Sequence, residues 1–401
     1  MRYILIVAFF LFSSSQSIFA QDLTAINDFG SNPGNLKMYV HVPLNPSSNK
    51  AMSLVVVLHG CSQNAGMIAK QTGWNLLADK YGFAVLYAQQ KMSNNMGNCF
   101  CWYNPNDVDK GKGENASITS MMDYTKQHYS IDSNRVYITG LSAGAAMAVS
   151  MMATHPASFK AGAIFAGAPF KAANKFITGM FAMEGWVLKS PEHWGDLVRA
   201  QNPEYKGSYP TMIVYHGKVD VVVNKRNGYE IVKQWTNLQG ISATPTQRIK
   251  RFAGKKCIEK DVFQNAAEEN VVMYYKVRGL GHALLVDPGK CEMQWGKHKM
   301  FSADKNYYSS YWTAVDFGLI TPHTISGDKS VKANQQNVTF SVPITDGAKY
   351  KWKFPNGCKI ISKNKNSVNV NWGKASGSVN VMVMTNDKCK TVYQTLFVEA
   401  K

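Results

Sequence analysis

Gly140-Leu141-Ser142-Ala143-Gly144 is the segment of this chain best suited to covalent chemistry. A serine hydroxyl becomes useful when small neighbours let the backbone turn tightly from a strand into a helix, so that the side chain stands clear of the sheet beside a helix N-terminus. The apolar run Arg135 to Thr139 before the motif and the helix-period run Ala143 to Thr154 after it supply that context. The five-residue pattern alone arises by chance in roughly one chain in eight of this length. The flanking elements therefore carry the reading.

A serine at neutral pH needs a histidine to take its proton and a carboxylate to fix the histidine's tautomer. Behind such a turn the expected chain order is serine, acid, histidine. His282, in Gly279-Leu280-Gly281-His282-Ala283, follows the apolar run ending at Val277, and Asp220 lies in His216-Gly217-Lys218-Val219-Asp220, just past the run Thr211 to Tyr215. His59 reads instead as shaping its own loop and His155 precedes Pro156 at a helix end, while His193, His298 and His323 lack the strand-then-loop position. Asp287, Asp304 and Asp316 fall after His282, on the wrong side for this order. Acyl transfer also requires donors aimed at a developing oxyanion. The expected pair is the N–H of Ala143 and, from the loop His59-Gly60-Cys61-Ser62-Gln63, the N–H of Cys61.

The elements that must hold these residues are legible as short apolar runs alternating with helix-period segments. Leu54 to Leu58, Phe83 to Tyr87, Arg135 to Thr139, Ala161 to Ala166, Thr211 to Tyr215 and Val271 to Val277 read as strands. Met67 to Lys80, Ala116 to Tyr129, Ala143 to Thr154 and Gly228 to Leu238 read as helices. This βαβα order predicts an α/β fold with a mostly parallel sheet, helices on both faces, and chemistry at the carboxyl ends of the strands. Near Thr321 the pattern changes to short β segments, Asn337 to Val342, Tyr350 to Phe354, Val368 to Trp372 and Val379 to Thr385, which predict a small all-β sandwich. Trp352 and Trp372 read as its core ahead of a polymer-binding surface.

The chain has 401 residues, 45% of them apolar, and a formal net charge of +18, which rules out wholesale disorder and implies a positive field attractive to anionic polymers. From Asp328 to Lys401 there are 12 Lys against four acidic residues, read as a solvated face. No recognition motif accompanies the charge, so nucleic acid is not an expected partner. Met1-Arg2, the apolar stretch Tyr3 to Phe12 and the small residues to Ala20 predict a cleaved secretory signal over 1–20, an uncleaved N-terminal anchor being the alternative. No later run reaches about 18 apolar residues, so no membrane association is expected after cleavage. The mature chain is expected to be secreted or periplasmic, where its seven cysteines tend to oxidise.

Leu58-His59-Gly60-Cys61-Ser62-Gln63, Cys101-Trp102, Gly111-Lys112-Gly113-Glu114, Arg135 through Gly144 and Gly281-His282-Ala283 together resemble the polyhydroxybutyrate depolymerase family of esterases, which includes feruloyl and acetylxylan esterases. The resemblance implies an α/β-hydrolase catalytic domain over 21–322 and a serine mechanism without cofactor or metal. It also implies Ser142, Asp220 and His282 as triad, Cys61 N–H in the oxyanion hole, and substrate contacts from Ser62, Gln63 and Trp102. Leu284 stands where the family usually has Trp and is expected on the substrate side, while Asp287-Pro288-Gly289 replaces a glycine pair and only Tyr103 remains of an aromatic pair. Residues 323–401 resemble PKD-like, immunoglobulin-like modules of secreted bacterial enzymes. The activity implied is hydrolysis of a polymeric carboxylic ester, polyhydroxyalkanoate first and feruloylated or acetylated xylan second. A catalytically silent polymer- or carbohydrate-binding protein is the reading from another class.

The expected disulfides are Cys61–Cys101, Cys257–Cys291 and Cys358–Cys389, with Cys99 left over. A zinc site is not expected, because no C-x2-C with partnered histidines is present.

Overall fold

Two short strands, β1 (Thr24–Ile26) and β2 (Lys37–His41), lead into β3 (Met52–Leu58), a run of seven residues that is buried along its whole length. Leu54, Val56 and Leu58 enter one apolar cluster while Val55 and Val57 enter another, so the period-2 alternation of a strand feeds two cores on opposite faces of one sheet. The structure, a computed structural model, describes residues 23–44, 50–393 and 395–401; the expected signal over 1–20 lies outside them.

After β3 come α1 (Ala65–Thr72), α2 (Trp74–Tyr81), β4 (Ala84–Gln89), α3 (Pro105–Val108), α4 (Gly113–His128), β5 (Ile131–Leu141) and α5 (Ala143–Thr154). They are followed by β6 (Ala161–Phe165), α6 (Phe176–Met183), α7 (Pro191–Arg199), β7 (Thr211–Gly217), α8 (Arg226–Leu238), β8 (Gln247–Lys250), β9 (Ile258–Gln264) and β10 (Asn270–Val277). The strands form one sheet in the order β1-β2-β4-β3-β5-β6-β7-β10-β9-β8. The block from β4 to β10 is parallel and both edges are antiparallel, as the alternating elements predict for the centre. Met121, Met147 and Trp235 place α4, α5 and α8 on one face. Leu77 of α2 covers the other, joined by Trp312 of α9 (Ser309–Asp316), which follows the short parallel pair β11 (Leu284–Val286) and β12 (Ser302–Asp304).

The single helix expected over Met67 to Lys80 is two. Gly73 takes φ +63°, its N–H caps α1 on Ala69 O, and α2 restarts at the next residue. A Cβ at Gly73 would stand 2.4 Å from the Trp295 ring, so the break makes room for that indole.

The tail contains β13 (Ser330–Val331), β14 (Val338–Ser341), β15 (Lys349–Lys353), β16 (Lys359–Lys363), β17 (Ser367–Asn371), β18 (Gly377–Met384), β19 (Lys390–Val392) and β20 (Leu396–Ala400). One sheet runs β13-β20-β18-β15 with β19 on β18, the other β14-β17-β16. Val338, Phe340, Val368, Val370, Val379 and Val381 meet between them. Trp372 belongs to this core, 2% exposed with its N–H on Ala375 O, and Trp352 is half-buried and stacked on Phe354. Trp372→Ala is therefore expected to cost about 3–5 kcal/mol, the usual range for a buried aromatic. Calorimetry of the full chain checks it: a separate early transition is the expected trace, whereas a surface tryptophan would move nothing beyond about 0.5 kcal/mol.

Candidate active site

Ser142 sits between the last residue of β5 and the first of α5 with φ 56° and ψ −120°, a conformation that a non-glycine residue holds only when its surroundings enforce it. Its N–H donates to Phe165 O at 2.9 Å, at the end of the neighbouring strand β6. The turn closes because both flanking glycines lack a Cβ. One on Gly140 would lie 2.5 Å from the Gly144 carbonyl, and one on Gly144 would lie 2.3 Å from His59 O. The second contact brings the start of α5 against the loop that leaves β3, so Ala143 and Cys61 meet on the wall of one cavity.

Strands β7 and β10 are parallel neighbours, with Gly217 opposite Val277 at their ends. The loops that follow are bound to each other: Lys218 N–H donates to Val277 O at 2.8 Å and Val219 N–H to Leu280 O at 3.2 Å. Gly217 allows the approach, since a Cβ there would lie 2.1 Å from Leu280 O. The outcome is that His282 Nδ1–H donates to Asp220 Oδ2 at 2.9 Å. The other oxygen of Asp220 accepts the N–H groups of Val222 and Val223, each at 2.9 Å. Burial pushes this carboxyl up, but the His282 hydrogen bond and charge and the Val223 N–H more than offset it and hold it below its ordinary value. His216 is the nearby alternative. It is fully buried, donates from Nε2 to Val223 O at 2.8 Å, and burial lowers its pKa so that it stays neutral.

Ser142 and His282 line the same cavity of about 240 Å³. Its walls are mostly hydrocarbon, from Ala146, Ala166, Met183, Val222, Val223, Trp102 and Phe301. The Phe301 ring stands 6.2 Å from that of His282, edge to face. Of the expected substrate contacts Trp102 is on the wall and three are not. Ser62 points to solvent at φ 60°. Gln63 is buried and works from behind, its Oε1 accepting Gly60 N–H at 2.8 Å. Leu284 is buried in β11 within the second apolar cluster, as the whole of this short strand is buried. Met183, Val222, Val223 and Phe301 were not among the expected residues. They come from three segments far apart along the chain, and no local motif marks them.

The loop that leaves β3 is fastened at several points. His59 is buried, donates from Nδ1 to Gly60 O at 2.8 Å and accepts Gln90 N–H at 3.0 Å; burial lowers its pKa to about 4, so it stays neutral. The disulfide here is Cys61–Cys99 and not the expected Cys61–Cys101. Cys101 is held away: its N–H donates to Glu114 Oε2 at 2.9 Å and its thiol, pushed up to about 12 by burial and then by Glu114, faces Asn95. Glu114 is itself buried and also accepts Gln90 Nε2. Cys101, Asp107 and Glu114 are the one group of potential metal ligands found among the described residues, and Glu114 spends its oxygens on Cys101 and Gln90. The other bridge is Cys291–Cys389, which leaves Cys257 and Cys358 unpaired against expectation. It joins the loop after β11 to the β18–β19 turn of the tail, a contact that cysteine spacing does not encode.

Two outcomes are expected. Gly144→Ala drives a methyl into the His59 carbonyl, so soluble protein should be lost or melt early, whereas Gly281→Ala, with open space at its Cβ, should melt like wild type. The second concerns pH. Burial, with Asp107 adding to it, raises Glu114 to about 8. The folded chain then holds a proton that the unfolded chain releases, so the stability this gives is complete below about pH 4.5 and is lost as pH rises through 8. Chemical denaturation at pH 5 and pH 8 should show that loss in wild type and a smaller one in Glu114→Gln.

Residues 38–256 match the family model described as esterase PHB depolymerase, and residues 319–397 match a PKD-like domain. The chain is 40% identical over 309 residues to poly(3-hydroxyalkanoate) depolymerase C of Paucimonas lemoignei, a match spanning 77% of this chain and 72% of that protein. It is 35% identical to acetylxylan esterase A of Emericella nidulans over 57% of this chain and 75% of the other. Among solved structures, the acetyl xylan esterase from Aspergillus awamori aligns with a TM-score of 0.63 at 26% identity, over 75% of this chain and 100% of that one. The chain belongs to the PHB depolymerase family of esterases: it is a carboxylic ester hydrolase of α/β-hydrolase fold that carries a PKD-like β domain at its C-terminal end.

Proposed function

We propose that Ser142, His282 and Asp220 are the catalytic triad and that the physiological substrate is an aliphatic polyester of hydroxyacid units. The observation that carries the triad is the Asp220–His282 hydrogen bond at the rim of a cavity whose wall also holds Ser142. An ionised Asp220 must accept, so Nδ1 carries the proton and Nε2 is left as the base. Ser142 Oγ attacks the ester carbonyl, Nε2 takes its proton and passes it to the departing alcohol, and water repeats the sequence to release the acid. The N–H groups of Ala143, at the start of α5, and of Cys61 stabilise the oxyanion.

The surface around the cavity supports a polyester. Helix α6 buries only Gly179 and Ala182, leaving Phe176, Ile177, Met180 and Phe181 exposed. Trp186, 64% exposed, stacks on Phe181, and Val221 is 89% exposed. The collar is continuous with the cavity through Met183 and Val222 and through the ring contacts that run from Trp102 to Tyr103 to Phe176. An apolar patch of this kind marks a binding surface, and its hydrocarbon suits the chain of an aliphatic polyester. Acetylated xylan is the second reading, supported by the likeness to the Aspergillus awamori enzyme. Export is proposed as well, on the N-terminal segment and the two disulfides; no helix among the described residues is long and apolar enough to cross a membrane.

Polyhydroxybutyrate granules, acetylated xylan and a feruloyl ester, given to the full chain, test both levels. Hydroxyacid release should exceed acetate and ferulate release, and faster release of acetate or ferulate sinks the polyester assignment. Ser142→Ala should lose at least about 10⁴-fold in turnover and Asp220→Asn about 10⁴-fold. A Ser142→Ala protein that keeps most activity removes the nucleophile from the scheme, and granule binding by wild type without turnover would favour a silent binding protein. Phe176→Ser/Trp186→Ser should weaken adsorption to granules while soluble short-chain esters are still cleaved.

A further inference from the structure

A second cavity, of about 420 Å³, opens between α1 and the loop that follows β11. Trp295 is its fixed aromatic wall, seated in the gap at Gly73 and tied by its N–H to Lys70 O at 2.9 Å. Met67 adds hydrocarbon, and Lys70, Lys297 and Lys299 bring three ammonium groups around the same space. No acidic residue lines it, and none of the three lysines has an ion-pair partner among the described residues. Like charges gathered without a counter-ion repel one another, and an organic anion with an apolar body relieves that repulsion.

This cavity is a neighbour of the catalytic one. Lys299, Met300 and Phe301 are consecutive: the first lines the cationic cavity and the last lines the catalytic cavity beside His282. Gln71, on the cationic side, donates to Met300 O at 2.9 Å and accepts from Gln63, the residue that holds Gly60 in the oxyanion loop.

The chemistry of a hydroxyacid polymer then gives the direction. When Ser142 Oγ bonds to an ester carbonyl and the carbonyl–alkoxy bond breaks, the acyl part stays on the serine. The proton from Oγ travels through His282 to the alkoxy oxygen, so the departing fragment gains a hydroxyl and keeps the polymer's free carboxylate terminus. That terminus always leaves on the His282 side, where Phe301 and the cationic cavity lie. We propose that this second cavity binds the carboxylate terminus of the departing hydroxyacid oligomer and biases cleavage toward the carboxyl end of the chain. The inference rests on the polyester reading above.

Short 3-hydroxybutyrate oligomers, offered to the full chain as free acids and as methyl esters, test it. Wild type should favour the free acid by about two- to fivefold in kcat/KM, the range open to an exposed charge pair, and this ratio should fall toward one at high salt. In Lys70→Ala/Lys297→Ala/Lys299→Ala the ratio should be near one already at low salt, with methyl-ester turnover in the same sample showing that the variant is folded. Oligomers cleaved with equal efficiency in both forms by wild type overturn this proposal alone. Failure to cleave either form, with other esters hydrolysed, overturns the polyester reading and this proposal with it.

Discussion

A carboxylate with no exposed side-chain surface organises the catalytic end of the sheet. Burying a charge costs several kcal/mol unless donors surround it, and Asp220 meets that condition with two backbone N–H groups on one oxygen and an imidazole N–H on the other. The two halves of this arrangement serve different ends. The backbone donors fold the segment that places Val222 and Val223 on the cavity wall, and the imidazole bond fixes the direction of His282. The backbone half is local to the loop after β7; the imidazole half needs the loops after β7 and β10 to come together, and the bare Cα of Gly217 is what permits it. Orientation of the His282 ring and shape of the pocket are thus tied to one desolvated charge.

The loop after β3, also on the cavity wall, rests on neutral groups. His59 is kept uncharged by burial and spends one ring nitrogen on each side of its loop, so it acts as a spacer between Gly60 and Gln90. Glu114 does similar work for the Trp102 segment from within α4, accepting from Cys101 and Gln90 at once. Cys61–Cys99 joins the two structures. An oxyanion donor has value only if it need not reorganise as charge develops, and a loop fastened through a ring, an amide, a disulfide and a buried carboxyl has little freedom to do so.

Much of this was legible in the sequence, for reasons that also explain what was not. Parallel strands buried on both faces give unbroken apolar runs, so Leu54 to Leu58 and Thr211 to Tyr215 stood out, and a strained strand-to-helix turn demands glycines, so Gly140 and Gly144 did too. Gly73 gave no such signal, since a glycine within a helical period is also tolerated there; the reason for the break is Trp295, more than two hundred residues away. Helix α6 was invisible because Phe176, Ile177 and Phe181 face water and break the rule that apolar residues seek a core. Strand β16 was missed because all five of its residues are exposed. Cysteine pairing failed for a different reason: Cys99 and Cys101 differ by two residues, and what separates their fates is a hydrogen bond from one of them to Glu114. Leu284 was placed by analogy with a family position, whereas the whole of β11 is buried and its side chain joins the second apolar cluster.

The tail bears on the site through the same logic of fixed loops. Twelve lysines against four acidic residues read as a solvated face, and Cys389 is bonded to Cys291; the closed loop of 98 residues restricts the unfolded chain by about 4–5 kcal/mol in the chain-entropy account. On its other side the same loop is tied by Glu292 to Lys80, at 2.9 Å, and to Tyr81. Held between the tail and α2, the segment from Asp287 to Met300 cannot drift independently of either. Phe301 follows directly on it and forms the catalytic wall beside His282. The β domain therefore buttresses the active-site rim, and its removal would loosen a wall of the pocket as well as subtract a charged surface.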